Sequence, residues 1–214
     1  MSSNTMTKKI AIFGGCFDPI HNGHIEMAKA TISQIDVAEV WFMPEFNPPH
    51  KDKKNISEFD YRYDMTKIAI SGFERFKCID FEKQLYISKV LNITSTYKVL
   101  KELEKVCKNI EFSLLIGYDS LFNLETWKDK NELLSEYEFI IASRLMTNKV
   151  NENEQIELLK NKYGFRYKIL QFENINISAT QIRQAFRYGK EIDIVNYLPT
   201  GVYEYIKQNN LYKN

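Results

Sequence analysis

The sequence predicts an α/β fold: a doubly wound, mostly parallel sheet with a small helical subdomain near its C-terminal end. Three observations carry this. Strand and helix signals alternate from the start, which is the pattern of βαβ units. A glycine-rich turn, Gly14-Gly15, links the apolar run Lys8–Phe13 to a segment in which Ile25, Met27, Ala28, Ile32 and Ile35 recur at helical spacing. Finally, 214 residues with 44% hydrophobic and 27% charged content suit an ordinary globule. No repeat, low-complexity tract or linker divides the chain, so residues 1–214 are expected to form a single domain.

Taken in order, Lys8–Phe13 reads as a buried strand and Asn22 as the N-cap of the helix after it. Glu39–Met43 is the second strand. The loop from Pro44 to Asn55 holds three of the five prolines and is not regular structure. Ser57 is expected to cap a helix through Tyr61, Met65, Ile68 and Ala69 to Gly72, with Glu58 and Asp60 at its positive end. Phe76–Phe81 is a strand candidate, and a helix follows from about Thr94 to Cys107, with Val99, Leu100, Leu103 and Val106 on one face. Phe112–Ile116 is the clearest buried strand and ends at Gly117; short helical turns follow at Asp119–Leu121 and Glu125–Trp127. Glu138–Ala142 is a strand with Arg144 at its carboxyl end, Asn151–Tyr163 a solvated helix, and Tyr167–Gln171 the last strand. Helices over Ser178–Tyr188 and Val202–Gln208 complete the chain.

Two stretches carry chemistry. At the first strand-to-helix junction, unpaired backbone N–H groups and the helix dipole make an anion site, and the glycines let a phosphate approach without a Cβ in the way. Of only 3 histidines, His21 and His24 both stand at this junction. Near the C-terminal end, Ile177-Ser178-Ala179-Thr180-Gln181-Ile182-Arg183 offers a second helix N-terminus with two hydroxyls and a guanidinium, suited to phosphate oxygens. A ligand is expected at the carboxyl ends of the strands, near the switch point of the sheet.

Several classes are disfavoured. A net charge of +1 lacks the basic footprint of a dedicated nucleic-acid binder. Cys16, Cys78 and Cys107 are odd in number and far apart, which argues against a disulfide framework or a structural zinc site. Met1–Thr7 lacks the apolar core of a signal peptide and no apolar run spans a bilayer, so a cytoplasmic protein without a membrane partner is expected.

Gly14-Gly15-Cys16-Phe17-Asp18-Pro19-Ile20-His21-Asn22-Gly23-His24 resembles the signature of the HxGH nucleotidyltransferase superfamily, most closely that of the bacterial nicotinate mononucleotide adenylyltransferases. The usual family residue at position 16 is Ser or Thr. Further likenesses run along almost the whole chain: Pro44 through Pro48-Pro49-His50-Lys51, Gly117-Tyr118-Asp119 where the family has G-A-D, Ile177–Arg183 against I-S-x-T-x-I-R, and Tyr197-Leu198-Pro199. The resemblance implies a Rossmann-like fold and transfer of AMP from ATP to nicotinate mononucleotide, with Mg²⁺ accompanying ATP. It places Gly14, Gly15, Cys16, Phe17, His21, His24, Asp119, Ser178, Thr180 and Arg183 around ATP. His50, Lys51, Thr96, Trp127 and Lys128 fall to the mononucleotide, with Trp127 stacking on the pyridine ring and Thr96 near the nicotinate carboxylate. His21, His24, Lys51 and Arg183 are the implied catalytic set, and no protein metal ligands are implied. Asp18 reads as a brace for the turn rather than a base.

Other readings remain open at this stage: an HxGH transferase acting on nicotinamide mononucleotide, phosphopantetheine or a cytidylyl donor; a nucleotide-binding regulator without catalysis; and an RNA-binding relative of class I tRNA synthetases. A homo-oligomer is also open.

Overall fold

The computed structural model describes residues 7–48, 56–89, 95–144, 149–172 and 175–213. Its centre is a six-stranded sheet of β1 (Lys8–Gly15), β2 (Glu39–Pro44), β3 (Phe76–Cys78), β4 (Ile110–Gly117), β5 (Glu138–Arg144) and β6 (Arg166–Phe172), in the order β3-β2-β1-β4-β5-β6. Every pairing is parallel. The helices are α1 (Asn22–Gln34), α2 (Phe59–Ile70), α3 (Phe81–Ile87), α4 (Thr96–Val106), α5 (Tyr118–Leu121), α6 (Lys130–Glu136), α7 (Lys149–Tyr163), α8 (Ala179–Arg187) and α9 (Val202–Gln208). This is the doubly wound, Rossmann-like architecture.

The strand sequences explain why both faces are covered. Successive strand residues point to opposite sides. Ala11, Phe13, Val40 and Phe42 join one core with Ile25 and Ala28 of α1 and Met65 and Ala69 of α2. Their alternates Ile10, Ile12, Trp41 and Met43 join the other with Leu85 of α3, Leu100 of α4, Leu133 of α6 and Ile156 of α7. An interior strand apolar at every position must be covered twice, and Ile10, Ala11 and Ile12 are all fully buried. The C-terminal helices share the first core through Ile182, Phe186, Val202 and Ile206.

Four local expectations need correction. The N-cap of α1 is His21 rather than Asn22, whose side-chain amide instead donates to the Asn196 carbonyl at 2.9 Å. The N-cap of α2 is Glu58 rather than Ser57; the Ser57 N–H donates to Asp18 Oδ2 at 3.2 Å, so a tertiary partner takes the place of a helix end. The third strand stops at Cys78, and Phe81 opens α3. The α4 helix begins at Thr96, where Ser95 caps it by accepting from the Lys98 N–H; Thr94 lies outside the described residues.

Position of the site follows from register. Gly15 pairs with Pro44, Phe13 with Leu115, and Gly117 with Ala142, so the carboxyl ends of β1, β2, β4 and β5 stand level. Between β1 and β4 the strand order reverses direction, and a crevice opens there.

Candidate active site

The turn after β1 builds one wall of that crevice. A Cβ on Gly14 would meet nothing within 4 Å, so its backbone faces open space that a ligand can fill. At Gly15 a Cβ would sit a tight 3.2 Å from the Phe17 ring, so a larger residue would have to push that ring aside. Phe17 itself is left-handed, with φ 47°, a conformation that non-glycine residues seldom adopt.

His21 and His24 stack with ring centroids 3.8 Å apart. Gly23 makes room for this pair, because a Cβ would lie 3.0 Å from His21 Nδ1. His24 Nδ1 accepts the His21 backbone N–H at 3.2 Å, which assigns the proton of a neutral His24 ring to Nε2 as a donor. His21 is buried and its Nδ1 has no hydrogen-bond partner. Burial alone pushes the His21 pKa down from 6.5 to about 4, so the ring is neutral at neutral pH. His21 therefore presents a neutral imidazole in the free protein.

From this turn a continuous cavity of about 590 Å³ extends across the carboxyl ends of the strands. It is lined by Gly14, Gly15, Cys16, Phe17, His21 and His24. Asp119 and Ser178 also line it, from the turn after β4 and the N-cap of α8. Thr96, Trp127 and Lys128 line it as well, from α4 and the turn that follows α5. Trp127 does two jobs: it lines the cavity and packs against the core beneath α4 and α6. Lys98, two residues after Thr96 on α4, lies 3.9 Å from Asp129 Oδ2.

Thr180 and Arg183 do not line the cavity. Arg183 Nη1 donates to the Asp18 carbonyl at 2.6 Å and Nη2 to Thr180 Oγ1 at 3.3 Å, which ties α8 to the turn. His50 and Lys51 lie outside the described residues, as do Leu145 and Met146 after β5. Ser178 caps α8 by accepting the Gln181 N–H, and Gln181 Oε1 accepts the Ser178 N–H at 2.8 Å.

Asp18 is fully committed to bracing: Oδ2 accepts the Ser57 N–H, Oδ1 accepts the Tyr212 hydroxyl at 2.7 Å, and its carbonyl takes Arg183. Sequence reasoning missed Arg62 and Tyr212 on this turn. It also missed Glu82 of α3, which is buried and lines the cavity. Among the described residues no three His, Cys, Asp or Glu side chains group so as to hold a metal ion.

Known proteins place this architecture. The family described as cytidylyltransferase-like matches residues 12–185. A Clostridium acetobutylicum protein named "Probable nicotinate-nucleotide adenylyltransferase" is 38% identical over 206 residues, covering 96% of this chain and 99% of its own. The chain belongs to the nicotinate-nucleotide adenylyltransferase family. A Clostridium botulinum member of the same name is 37% identical over 95% of this chain and 98% of its own. Members of this family are nucleotidyltransferases, and so is this chain. Such activity generally uses a divalent metal. The fold is shared with the Plasmodium falciparum nicotinic acid mononucleotide adenylyltransferase, solved in complex with NaAD (TM-score 0.75, 24% identity, 96% of this chain and 97% of that one) and with APC (TM-score 0.73, 24% identity).

Proposed function

We propose that this adenylyltransferase makes deamido-NAD and pyrophosphate from ATP and nicotinate mononucleotide, acting in the cytoplasm as one domain in NAD biosynthesis. The observation that carries this reading is the single cavity that joins the glycine turn and the histidine pair to Trp127 and Thr96. Two nucleotides bound end to end along it would bring their phosphates together.

The chemistry asks little of any one residue. An oxygen of the mononucleotide phosphate attacks the α-phosphorus of ATP; the bond from that phosphorus to the bridging oxygen breaks, and pyrophosphate leaves with its electron pair. With a second phosphate pKa near ~6, the attacking group is already mostly dianionic, so no strong general base is needed. What remains is to hold anions in line and offset the charge that grows on the leaving group. Gly14 and Gly15 offer backbone N–H groups, and His24 offers Nε2–H. His21 is positioned by burial and by its stack on His24. Ser178, Thr180, Arg183 and Lys51 are assigned to the triphosphate, and Asp119 to the adenosine ribose. Cys16 and Phe17, which line the cavity, are assigned to ATP as well. Mg²⁺ would accompany ATP as part of the substrate and would help neutralise the charge that grows on the leaving pyrophosphate.

Nicotinate recognition is assigned to Trp127 by stacking, to Thr96 by its hydroxyl and to Lys128 by its backbone N–H, with His50 on the mononucleotide side. The test is a panel with ATP: nicotinate mononucleotide, nicotinamide mononucleotide and phosphopantetheine, read as pyrophosphate release and dinucleotide product. Fastest turnover with nicotinate mononucleotide is expected. Turnover with phosphopantetheine alone, or with none of the three, refutes the reading.

A further inference from the structure

The left-handed Phe17 stands between two residues that are held from four directions. On its N-terminal side, the Cys16 carbonyl accepts Arg62 Nη1 at 2.8 Å. On its C-terminal side, the Asp18 carbonyl accepts Arg183, while the Asp18 carboxylate accepts the Ser57 N–H and the Tyr212 hydroxyl. Arg62 Nε also donates to the Ser57 carbonyl at 2.9 Å. The Ser57 backbone is thus clamped between a buried cation and a buried anion, with Arg62 and Asp18 each only 1% exposed. Burying a guanidinium is costly unless its donors are used, and here they are spent on two backbone carbonyls with the Phe59 ring 5.6 Å away.

Fixing an unfavourable backbone conformation requires surroundings that over-determine it. Without such bracing, Phe17 would relax toward the ordinary φ range and carry Gly14–Gly15 and the histidine pair with it. We infer that Arg62 and Tyr212 are positioning residues that lock the Cys16–Asp18 turn and thereby set the geometry of the phosphate cradle and of His21 and His24. Arg62 and Tyr212 stand outside the cavity lining and spend their hydrogen bonds on Cys16, Asp18 and Ser57, so both act through the turn. Tyr212 suits this task because burial and the neighbouring Asp18 carboxylate push its hydroxyl pKa well above 10, keeping it a donor throughout the physiological range. The inference rests on the adenylyltransferase reading for its kinetic arm only.

The test compares Tyr212→Phe with Tyr205→Phe. Tyr205 donates to Asp64 Oδ2 at 2.9 Å, a tyrosine–aspartate bond between α9 and α2 that does not touch the turn. Each substitution removes one hydroxyl and leaves the ring. Tyr212→Phe is expected to lower kcat about 10-fold, since small misplacements of a catalytic constellation are expensive, with KM for the mononucleotide unchanged. Tyr205→Phe should keep wild-type kcat at a similar loss of melting temperature. Arg62→Lys, which replaces the fork by a point charge, should fall further than Tyr212→Phe in kcat. A second readout needs no substrate: the rate at which iodoacetamide labels Cys16, followed by peptide mass, should rise in Tyr212→Phe while the rates at Cys78 and Cys107 hold. Wild-type kcat and an unchanged Cys16 rate in Tyr212→Phe, or an equal loss of kcat in Tyr205→Phe, overturns the inference. Absence of turnover in the wild type would instead count against the adenylyltransferase reading, and the Cys16 rate would still decide the role of Tyr212.

Discussion

Burial of His21 makes folding stability depend on pH in a defined window. In the folded protein its pKa lies near 4; in the unfolded chain it returns to 6.5. Between these values the unfolded state binds a proton that the folded state refuses, so stability falls as pH drops through the window and is fully present above about 6.5. At roughly 1.4 kcal/mol per pH unit, the gap sets an upper limit of about 3 kcal/mol lost by pH 4. The perturbation is His21→Gln, which removes the titration while keeping a polar side chain. Urea unfolding of both proteins at about pH 7 and about pH 4.5 gives the comparison, since each loses the same carboxylate contributions. Glu39, where burial opposes ionisation but bonds to Lys8, Trp41 and Lys77 together outweigh it, is held down to about 2 and titrates below this range. The wild type should lose about 2.5 kcal/mol more than the variant over the interval. Parallel loss in the two proteins would show that His21 is not a buried neutral base.

His24→Ala should lower kcat by about 10²–10³ with ATP affinity nearly unchanged, because its Nε2–H meets charge that develops only in the transition state; steady-state kinetics with ATP titration checks it, and turnover within a few-fold of wild type would remove His24 from the catalytic set. Arg183→Ala should raise KM for ATP and Arg183→Lys should restore only part, since a guanidinium can hold the Asp18 carbonyl and a phosphate oxygen together; unchanged ATP binding in both would move the triphosphate elsewhere. The protein should favour nicotinate over nicotinamide mononucleotide in kcat/KM, and Thr96→Ala should narrow the preference, because a pocket of donors leaves the amide N–H groups without acceptors. Selectivity unchanged in Thr96→Ala would show that the pyridine pocket is assigned to the wrong residues.

Legibility in the sequence tracked the range of the interactions. Strands β1, β4 and β5 were readable because continuous apolar runs admit little but a doubly covered strand. The glycine turn was readable because its chemistry lies within twelve consecutive residues. Helices α3 and α6 span 7 residues each and were missed. Two turns are too short to show a period, and such helices are held by packing of Leu85, Leu133 and Leu134 rather than by intrinsic propensity. Ser57 looked like a cap since no local signal reveals that its N–H belongs to Asp18, 39 residues away. Arg62 and Tyr212 were invisible for the same reason, lying 46 and 194 residues from the groups they hold. An arginine on a helix reads as solvated until its burial is seen.

The claim that one cavity holds both nucleotides, with their phosphates meeting at the histidine pair, is tested most directly by a crystal structure with a non-hydrolysable ATP analogue and nicotinate mononucleotide bound together. The account predicts triphosphate oxygens on the Gly14–Gly15 backbone, the mononucleotide phosphate within reach of His24 Nε2, and the pyridine ring against Trp127. A pyridine ring outside the cavity, or phosphates separated from the His21–His24 pair, would contradict it.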